Sequence, residues 1–472
     1  MTGQRSRADN HGLALVAVLV VMGGALLVAT SLLFVLSAEV AGSAVAAERV
    51  QAQALARSGI MVVMGRLNEQ RETILAGRTP ELDETYEIYE TGTRVGVVRL
   101  LPVGPGGELL VPEAGKRDMQ VIDAEMLAAT GLVDDLLAAR IVEYRDRELR
   151  RPYQSVGELL GVTGMTAETL YGPVDEIGQR PAERDRSDAG VRGLGDVITV
   201  YGFEPALQLS GKLRINLNVP WSDELASRVE ERFGAASSDT LKRIMEGGTL
   251  FDTEAKLFGV LNFFQMDPTD WPEIIDTFTS EDGDLHYGRL DINTAPYEAL
   301  LTLPGFDPQQ AADIVRMRDD LSDDDRATVA WPAIHGIVEP RAYEQLGGLI
   351  TTRSWTYRLR LAAGEVDGDA SQDAAPDGAI IYEVVLDLSS PRPRIAYLRE
   401  VTWLRTAALI AANVDIDDTS DIIDPDDAAA DPFSDDPAFG EQPGAAEVVP
   451  QDETGNEAAT PAGKRIGRWA AG

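Results

Sequence analysis

The residue types that could do chemistry are few and scattered. Three histidines, His11, His286 and His335, lie far apart in the chain, and there is no cysteine. Thiol nucleophiles, cysteine metal sites and disulfides are therefore excluded, and the fold must stand on packing alone. No nucleophile elbow, His-Glu-x-x-His or phosphate-loop pattern occurs, so no catalytic residue is assigned and the chain reads as a non-enzyme. His335, within Trp331-Pro332-Ala333-Ile334-His335-Gly336, reads as a packed loop residue. Two loops, Glu281-Asp282-Gly283-Asp284 and Asp319-Asp320-Leu321-Ser322-Asp323-Asp324-Asp325, carry the oxygen donors that calcium prefers. Neither has EF-hand spacing, and the simpler reading of both is exposed acidic loops.

What must position these residues is a chain organised around its N-terminus. No charged residue occurs from Leu13 to Ala38; Arg5 and Arg7 precede the run and Glu39 follows it. As a helix the run is about 39 Å long, enough to cross a hydrocarbon core of about 30 Å. The positive-inside rule puts the N-terminus in the cytoplasm and the bulk of the chain outside. A cleavable signal peptide or plain signal anchor shares this hydropathy, but a secretory apolar region is shorter, about 7–15 residues. The helical pattern also continues through Ala41–Leu67 with polar residues interspersed (Glu48, Arg49, Gln51, Gln53, Arg57) and no proline. One helix of more than fifty residues, half apolar and half amphipathic, is built for packing against related helices.

A short basic leader ending in Gly12, an unbroken apolar helix, and an amphipathic continuation closing on Gln53-Ala54-Leu55-Ala56-Arg57-Ser58-Gly59 resemble a type IV pilin or pseudopilin. The resemblance implies cleavage by prepilin peptidase between Gly12 and Leu13, with Leu13 becoming the N-methylated first residue. Most members carry Glu at the fifth mature position, where this chain has Ala17. That Glu is thought to neutralise the terminal amine of the subunit above, so a subunit without it needs nothing above it. The opening Gly12-Leu13-Ala14-Leu15 with Ala17 resembles the minor pseudopilin K (general secretion pathway protein K) family of type II secretion systems, whose members lack this Glu and sit at the tip.

Length and charge bound the rest. The chain has 472 residues, which suggests two or three domains, and a net charge of −36. So acidic a chain is a poor partner for nucleic acid, whose binding rests on Lys and Arg neutralising phosphates.

The sequence divides into a leader (1–12), a long transmembrane and amphipathic helix (13–75) ended by Gly77 and Pro80, and the first part of a sheet (76–114). Thr85–Leu101 reads as a hairpin around Gly92. From 115 to 349 the signals are mostly helical and repeat. Gly115-Lys116-Arg117-Asp118-Met119-Gln120 matches Gly288-Arg289-Leu290-Asp291-Ile292-Asn293, and Ile141-Val142 with Arg145-Asp146 match Ile314-Val315 with Arg318-Asp319. A third copy begins within Gly211–Asn218. Each unit reads as an extended opening, a capped helix, a Gly turn and a second helix. Thr294 with Pro296 is one helix start, and Ser155-Val156-Gly157-Glu158 reads as a capping box. Strands resume in 350–411, from Trp355 to Leu361, Ile380 to Leu388 and Ile395 to Leu404, with turns at Gly364–Gly378 and Ser389–Pro393. The tail, 412–472, holds fifteen acidic residues and no Lys or Arg between Val414 and Gly463, a composition expected to be disordered. Lys464-Arg465-Ile466-Gly467-Arg468-Trp469 then reads as a solvated terminus or a docking peptide.

The fold expected is α+β: a pilin-like transmembrane helix packed on an antiparallel sheet, with a large inserted helical domain of helix-hairpin-helix or SAM-like modules. Such insertions extend the resemblance to the pseudopilin K family over most of the chain. It implies a minor pseudopilin at the pseudopilus tip, initiating or capping assembly for export across the outer membrane. Implied partners are pseudopilins I and J, with H as a further candidate, the major pseudopilin, prepilin peptidase and the inner-membrane assembly platform. The implied location is the inner membrane, single-pass, with the bulk periplasmic, and calcium in the helical domain is the one cofactor suggested. The alternative is a membrane-anchored helix-hairpin-helix DNA receptor of a competence system. Its residues disfavour it: Leu303-Pro304-Gly305-Phe306-Asp307 has Asp where the second amide-donating Gly is needed, and Asp313, Asp319 and Asp320 would repel phosphate.

Overall fold

The computed structural model describes residues 11–104, 106–172, 192–368 and 377–402, without the side chains of 11–17 and 377. The first ten residues of the expected leader, the end of the last expected strand and the acidic tail lie outside the described residues.

The first helix, α1, runs His11–Glu69. Ala, Leu and other good helix formers dominate it, and no proline interrupts it. It ends slightly earlier than the expected break. Gln70 turns aside to bond Glu81 through both amide atoms (2.6 and 2.9 Å), a short α2 (Arg71–Leu75) follows, and Gly77 adopts φ +70°.

The C-terminal part of α1 lies on an antiparallel sheet. Strands β1 (Thr85–Thr91) and β2 (Arg94–Leu101) form the hairpin expected around Gly92, whose φ is +63°. After β3 (Leu110–Pro112) the chain leaves the sheet, and it returns much later. Eight two- or three-residue strands occur on the way, β4 (Arg117–Asp118), β5 (Ile198–Thr199), β6 (Phe203–Pro205), β7 (Ile215–Asn216), β8 (Phe278–Thr279), β9 (Leu285–Tyr287), β10 (Leu290–Asp291) and β11 (Ile350–Thr351). The sheet is then completed by β12 (Thr356–Asp367), β13 (Asp377–Asp387) and β14 (Arg394–Glu400), in the order β1-β2-β12-β13-β14. β2 and β3 lie end to end along one edge of β12. β12 runs through Gly364, with a register shift between Ala363 and Glu365, so the turn expected to begin at Gly364 starts later.

Burial explains the helix–sheet joint. From Ala52 onward, Leu55, Ala56, Gly59, Ile60, Val63, Met64 and Leu67 are buried, and the residues between them face solvent. This three-and-four spacing is the apolar stripe of an amphipathic helix. It packs on Val98, Leu100, Trp355, Tyr357, Leu359, Leu361, Val384 and Leu386. Gly59 marks the closest approach, because a Cβ there would lie 2.4 Å from Val98 Cγ2.

Between β3 and β12 the chain forms three units of one design. Each has an opening two-residue strand that pairs in parallel with a closing strand: β4 with β5, β7 with β8, and β10 with β11. In unit A, α3 (Ala124–Ala129) is capped by Asp123, Gly131 turns at φ +71°, and α4 (Asp135–Glu143) is capped by Asp134, with α5 (Ala167–Tyr171) after it. In unit B, α6 (Asp223–Phe233) is capped by Ser222, Gly234 turns at φ +81°, and α7 (Ala235–Glu246) follows, then α8 (Glu254–Phe263) and α9 (Trp271–Thr277). In unit C, α10 (Tyr297–Leu300) leads to Gly305 at φ +76° and to α11 (Pro308–Met317), which has a full capping box of Asp307 and Gln310. Helices α12 (Asp323–Arg326), α13 (Trp331–Ile334) and α14 (Tyr343–Leu346) complete it.

The units agree at atomic detail. Asp118, Asn216 and Asp291 each accept, through Oδ1, the N–H two residues on, at 2.8, 2.7 and 3.0 Å. Thr199, Thr279 and Thr351 in the closing strands likewise accept the N–H two residues on through Oγ1. The motif is therefore Lys116-Arg117-Asp118-Met119-Gln120, Arg214-Ile215-Asn216-Leu217-Asn218 and Arg289-Leu290-Asp291-Ile292-Asn293.

Two local expectations need correction. Ser155 makes no capping bond; Glu158 instead reaches back to the Gln154 N–H at 3.1 Å, and Val156–Gly161 is a tight helical turn. Thr294 does not cap α10; its hydroxyl donates to Asp291 at 2.8 Å, and Pro296 stands before the first turn.

Candidate membrane and assembly interface

The long helix changes character at Gln51. Every residue described from Val18 to Gln51 is exposed, while Ala52 and the stripe after it are buried on the sheet. Val18–Glu69 contains a stretch long and apolar enough to cross a membrane, and none of that stretch is covered by the rest of the protein. Val20, Val21, Leu26, Leu27, Leu33 and Phe34 are each at least 65% exposed. Apolar surface of that extent needs lipid or another protein around it.

A polar collar surrounds the point where the helix leaves the body. Gln51 donates to the Tyr89 hydroxyl at 2.7 Å and to Glu365, and the same hydroxyl donates to Glu365. Burial and this hydrogen bond push the Tyr89 phenol above its ordinary value. Arg49 pairs with Glu400 of β14 at 2.9 Å, and Arg94 with Glu365 at 3.4 Å. Exposed pairs of this kind contribute at most about 1 kcal/mol each, so the collar sets orientation more than stability.

Gly12, Leu13 and Ala17 lie within α1, and their side chains are outside the described residues. The other residues singled out by type are dispersed. His335 is on the surface, 3.3 Å from Asp325. His286 is buried, 3.3 Å from the Thr279 hydroxyl and 3.8 Å from Glu204. The set has the composition of a hydrolytic triad, but the Thr279 hydroxyl already donates to Glu254 at 2.8 Å and accepts from the Glu281 N–H. All three side chains are shut from solvent, so they act as a structural joint.

Several side chains of the acidic loops are engaged too. Glu281 pairs with Arg289 at 2.7 Å, Asp282 accepts from Asn216, Asp323 pairs with Arg78, and the Asp325 carboxylate accepts from the Ser322 hydroxyl at 2.8 Å. Among the described residues no three acidic or imidazole groups converge as a metal ion would need.

The charges that do converge were not singled out by sequence. Glu113 is fully buried against Arg358 (2.7 Å), Lys116 (3.4 Å) and Thr199, and Arg358 and Lys116 outweigh its burial, holding its carboxyl at about 2. Burial would raise the Glu204 carboxyl, but the neighbouring His286, Arg289 and Arg214 outweigh it and hold it well below the ordinary carboxylate range. Arg289 itself is gripped by Glu204, Glu254 and Glu281. The only sequence signal for these ion pairs is the basic residue before each opening strand. Their acidic partners come from distant segments.

No family model matches the chain, and no curated protein matches it.

Proposed function

We propose that the chain is a minor pseudopilin of the K type, an assembly subunit at the tip of a type II secretion pseudopilus. The observation that carries this reading is the division of α1. One half lies bare and apolar, and the other half is fixed by its inner stripe to an antiparallel sheet. A helix of that form anchors a folded head to a membrane before assembly and offers its free surface to neighbouring helices afterwards.

Three further features support it. The N-terminal positive charges favour a cytoplasmic N-terminus and a periplasmic body in the inner membrane. The Gly12-Leu13 junction suits prepilin peptidase, and Ala17 in place of Glu suits a subunit with nothing above it. The helical units, which leave the sheet after β3 and return at β12, give the head the bulk of a cap and read as an inserted domain of helix-hairpin-helix modules. In this reading pseudopilins I and J pack along α1, and the assembled tip primes growth of the pseudopilus that drives export.

The test is the mature N-terminus by mass spectrometry, with and without prepilin peptidase, for the natural chain and Gly12→Val. The expected product begins at N-methylated Leu13 and vanishes in either control. An intact leader, or a cut near Ala38–Ala47, would overturn the proposal.

A further inference from the structure

The three helical units share a polar joint that is complete in two of them. In unit A the residue before the opening strand, Lys116, meets Glu113 at 3.4 Å, and the other oxygen of that carboxylate accepts from Thr199 in the closing strand. In unit C, Arg289 meets Glu204 at 3.2 Å, and the second Glu204 oxygen accepts from Thr351 at 2.6 Å. A cation, a carboxylate and a threonine thus tie the opening strand of each unit to its closing strand. In unit B the matching cation is Arg214 and the matching threonine is Thr279. The carboxylate on Thr279 is Glu254, but its cation is Arg289 of unit C, at 3.3 Å. Arg214 is left over.

The surroundings of Arg214 are those of a binding site. Among the described residues its side chain makes no hydrogen bond or ion pair, and its Nε is buried without a partner. It lines a cleft of about 530 Å³ whose walls include Leu209, Ile275 and Val329. The other arginines of the cleft are engaged: Arg353 by Asp276 at 2.9 Å and the Leu207 carbonyl at 2.7 Å, Arg232 by Glu273 at 3.2 Å, and Arg289 as above. Burial and the nearby Arg353 and Arg289 pull the Arg214 guanidinium down to about 10, against the pull of Glu204 and Asp276. An anion at Arg214 would relieve this.

We propose that the cleft binds a carboxylate, which docks on Arg214 and gives the unit B cation the partner that Glu113 gives Lys116 and Glu204 gives Arg289, while Glu254 keeps its bond from Thr279. A carboxylate fits better than a phosphate. It matches the guanidinium fork with a single charge, whereas the Glu204, Glu254, Glu273, Asp276 and Asp324 side chains lining the cleft repel a multiply charged anion. The apolar wall takes the carbon skeleton. The carboxylate comes either from a free organic acid or from an acidic side chain of a docked protein.

The test uses the full chain in detergent micelles, with calorimetric titration of benzoate, benzamide, inorganic phosphate, and the peptides acetyl-Gly-Glu-Gly-amide and acetyl-Gly-Gln-Gly-amide. Saturable binding of benzoate but not benzamide, weakened at least about tenfold in Arg214→Gln and less in Arg214→Lys, supports the site and a free acid. Binding of the glutamate peptide alone supports a protein-borne carboxylate. The Lys variant keeps the charge, so it still reports if the Gln variant fails to fold. Binding of neither carboxylate, tighter binding of phosphate, or carboxylate binding indifferent to both substitutions would overturn the proposal.

Discussion

The Asn293 side-chain amide donates to the carbonyl of Gly77 at 3.1 Å, across more than two hundred residues of chain. The same nitrogen donates to the Arg326 carbonyl at 2.8 Å, and Asn293 Oδ1 accepts from Trp331 Nε1 at 3.1 Å. One buried amide therefore joins the residue that ends the N-terminal helical segment to the core of unit C. Gly77 is fixed there for its own reason, since its φ is +70° and a Cβ would lie 2.3 Å from the Arg326 carbonyl oxygen.

Replacing Asn293 by Ala leaves the indole N–H and two carbonyls without this partner. With about 1–3 kcal/mol for each group left unsatisfied, a loss of roughly 3 kcal/mol is expected. Urea unfolding of the natural chain and Asn293→Ala measures it. A loss below about 1 kcal/mol would mean that water replaces the amide and that the joint is not rigid.

Gly59 gives a steric counterpart. Gly59→Ala places a methyl against Val98, and about 1–3 kcal/mol of overpacking is expected. Val98→Ala costs stability alone through the cavity it leaves, but should recover part of the loss when combined with Gly59→Ala. A double-mutant cycle reads the coupling, and strict additivity would show that α1 shifts away from β2 instead.

Much of this architecture was legible in the sequence because it is written in local patterns. The apolar run of α1, the turn at Gly92 and the repeat shared by Lys116–Gln120 and Arg289–Asn293 all lie in short windows. The third copy was recognisable only by its opening residues. Its register becomes clear when Arg214, Ile215 and Asn216 are set on Arg289, Leu290 and Asp291 by hydrogen bonding. A two-residue parallel pairing carries no hydrophobic period, so the closing strands were invisible. The carboxylate partners were hidden for a related reason. Glu204 meets Arg289 and Thr351 only after a whole unit has folded between them. Ser155 misled because the capping-box residues are present, but the chain there bonds one position earlier.

The threonine joints predict a pattern of coupling. Thr279→Val and Thr351→Val each strip a hydrogen bond from a buried carboxylate, at about 1.5–3 kcal/mol, whereas Thr→Ser at either position keeps it. Glu254 and Glu204 share Arg289, so the Thr279→Val and Thr351→Val pair should be non-additive. Thr199→Val, whose carboxylate Glu113 belongs to a separate ion cluster, should add to Thr351→Val. Chemical denaturation of the two double variants decides it, and additivity in both would dismiss the shared network.

Two buried carboxyls should shape stability against pH in opposite senses. Burial, against bonds from Thr294 and the Asn293 N–H, raises the Asp291 carboxyl from 3.8 to about 6. The folded state then holds the proton more tightly than the unfolded chain, so stability falls as pH rises from about 4 to 6 and the ionised group remains a burden at pH 7. The burden is on the order of 2 to 3 kcal/mol. Glu113, lowered from 4.5 to about 2 by Arg358 and Lys116, stabilises above about 4.5, and that contribution is lost as pH falls towards 2. Asp291→Asn should remove the first effect without touching the second. Asn216 already occupies the matching place in unit B and accepts the same backbone bond, so the substitution asks only that the Thr294 hydroxyl turn from donor to acceptor. Thermal unfolding from pH 4 to 8 should show Asp291→Asn more stable than the natural chain at pH 7 and converging with it towards pH 4. A constant difference across that range would mean that Asp291 is ionised throughout and is held by Arg318 rather than opposed by burial.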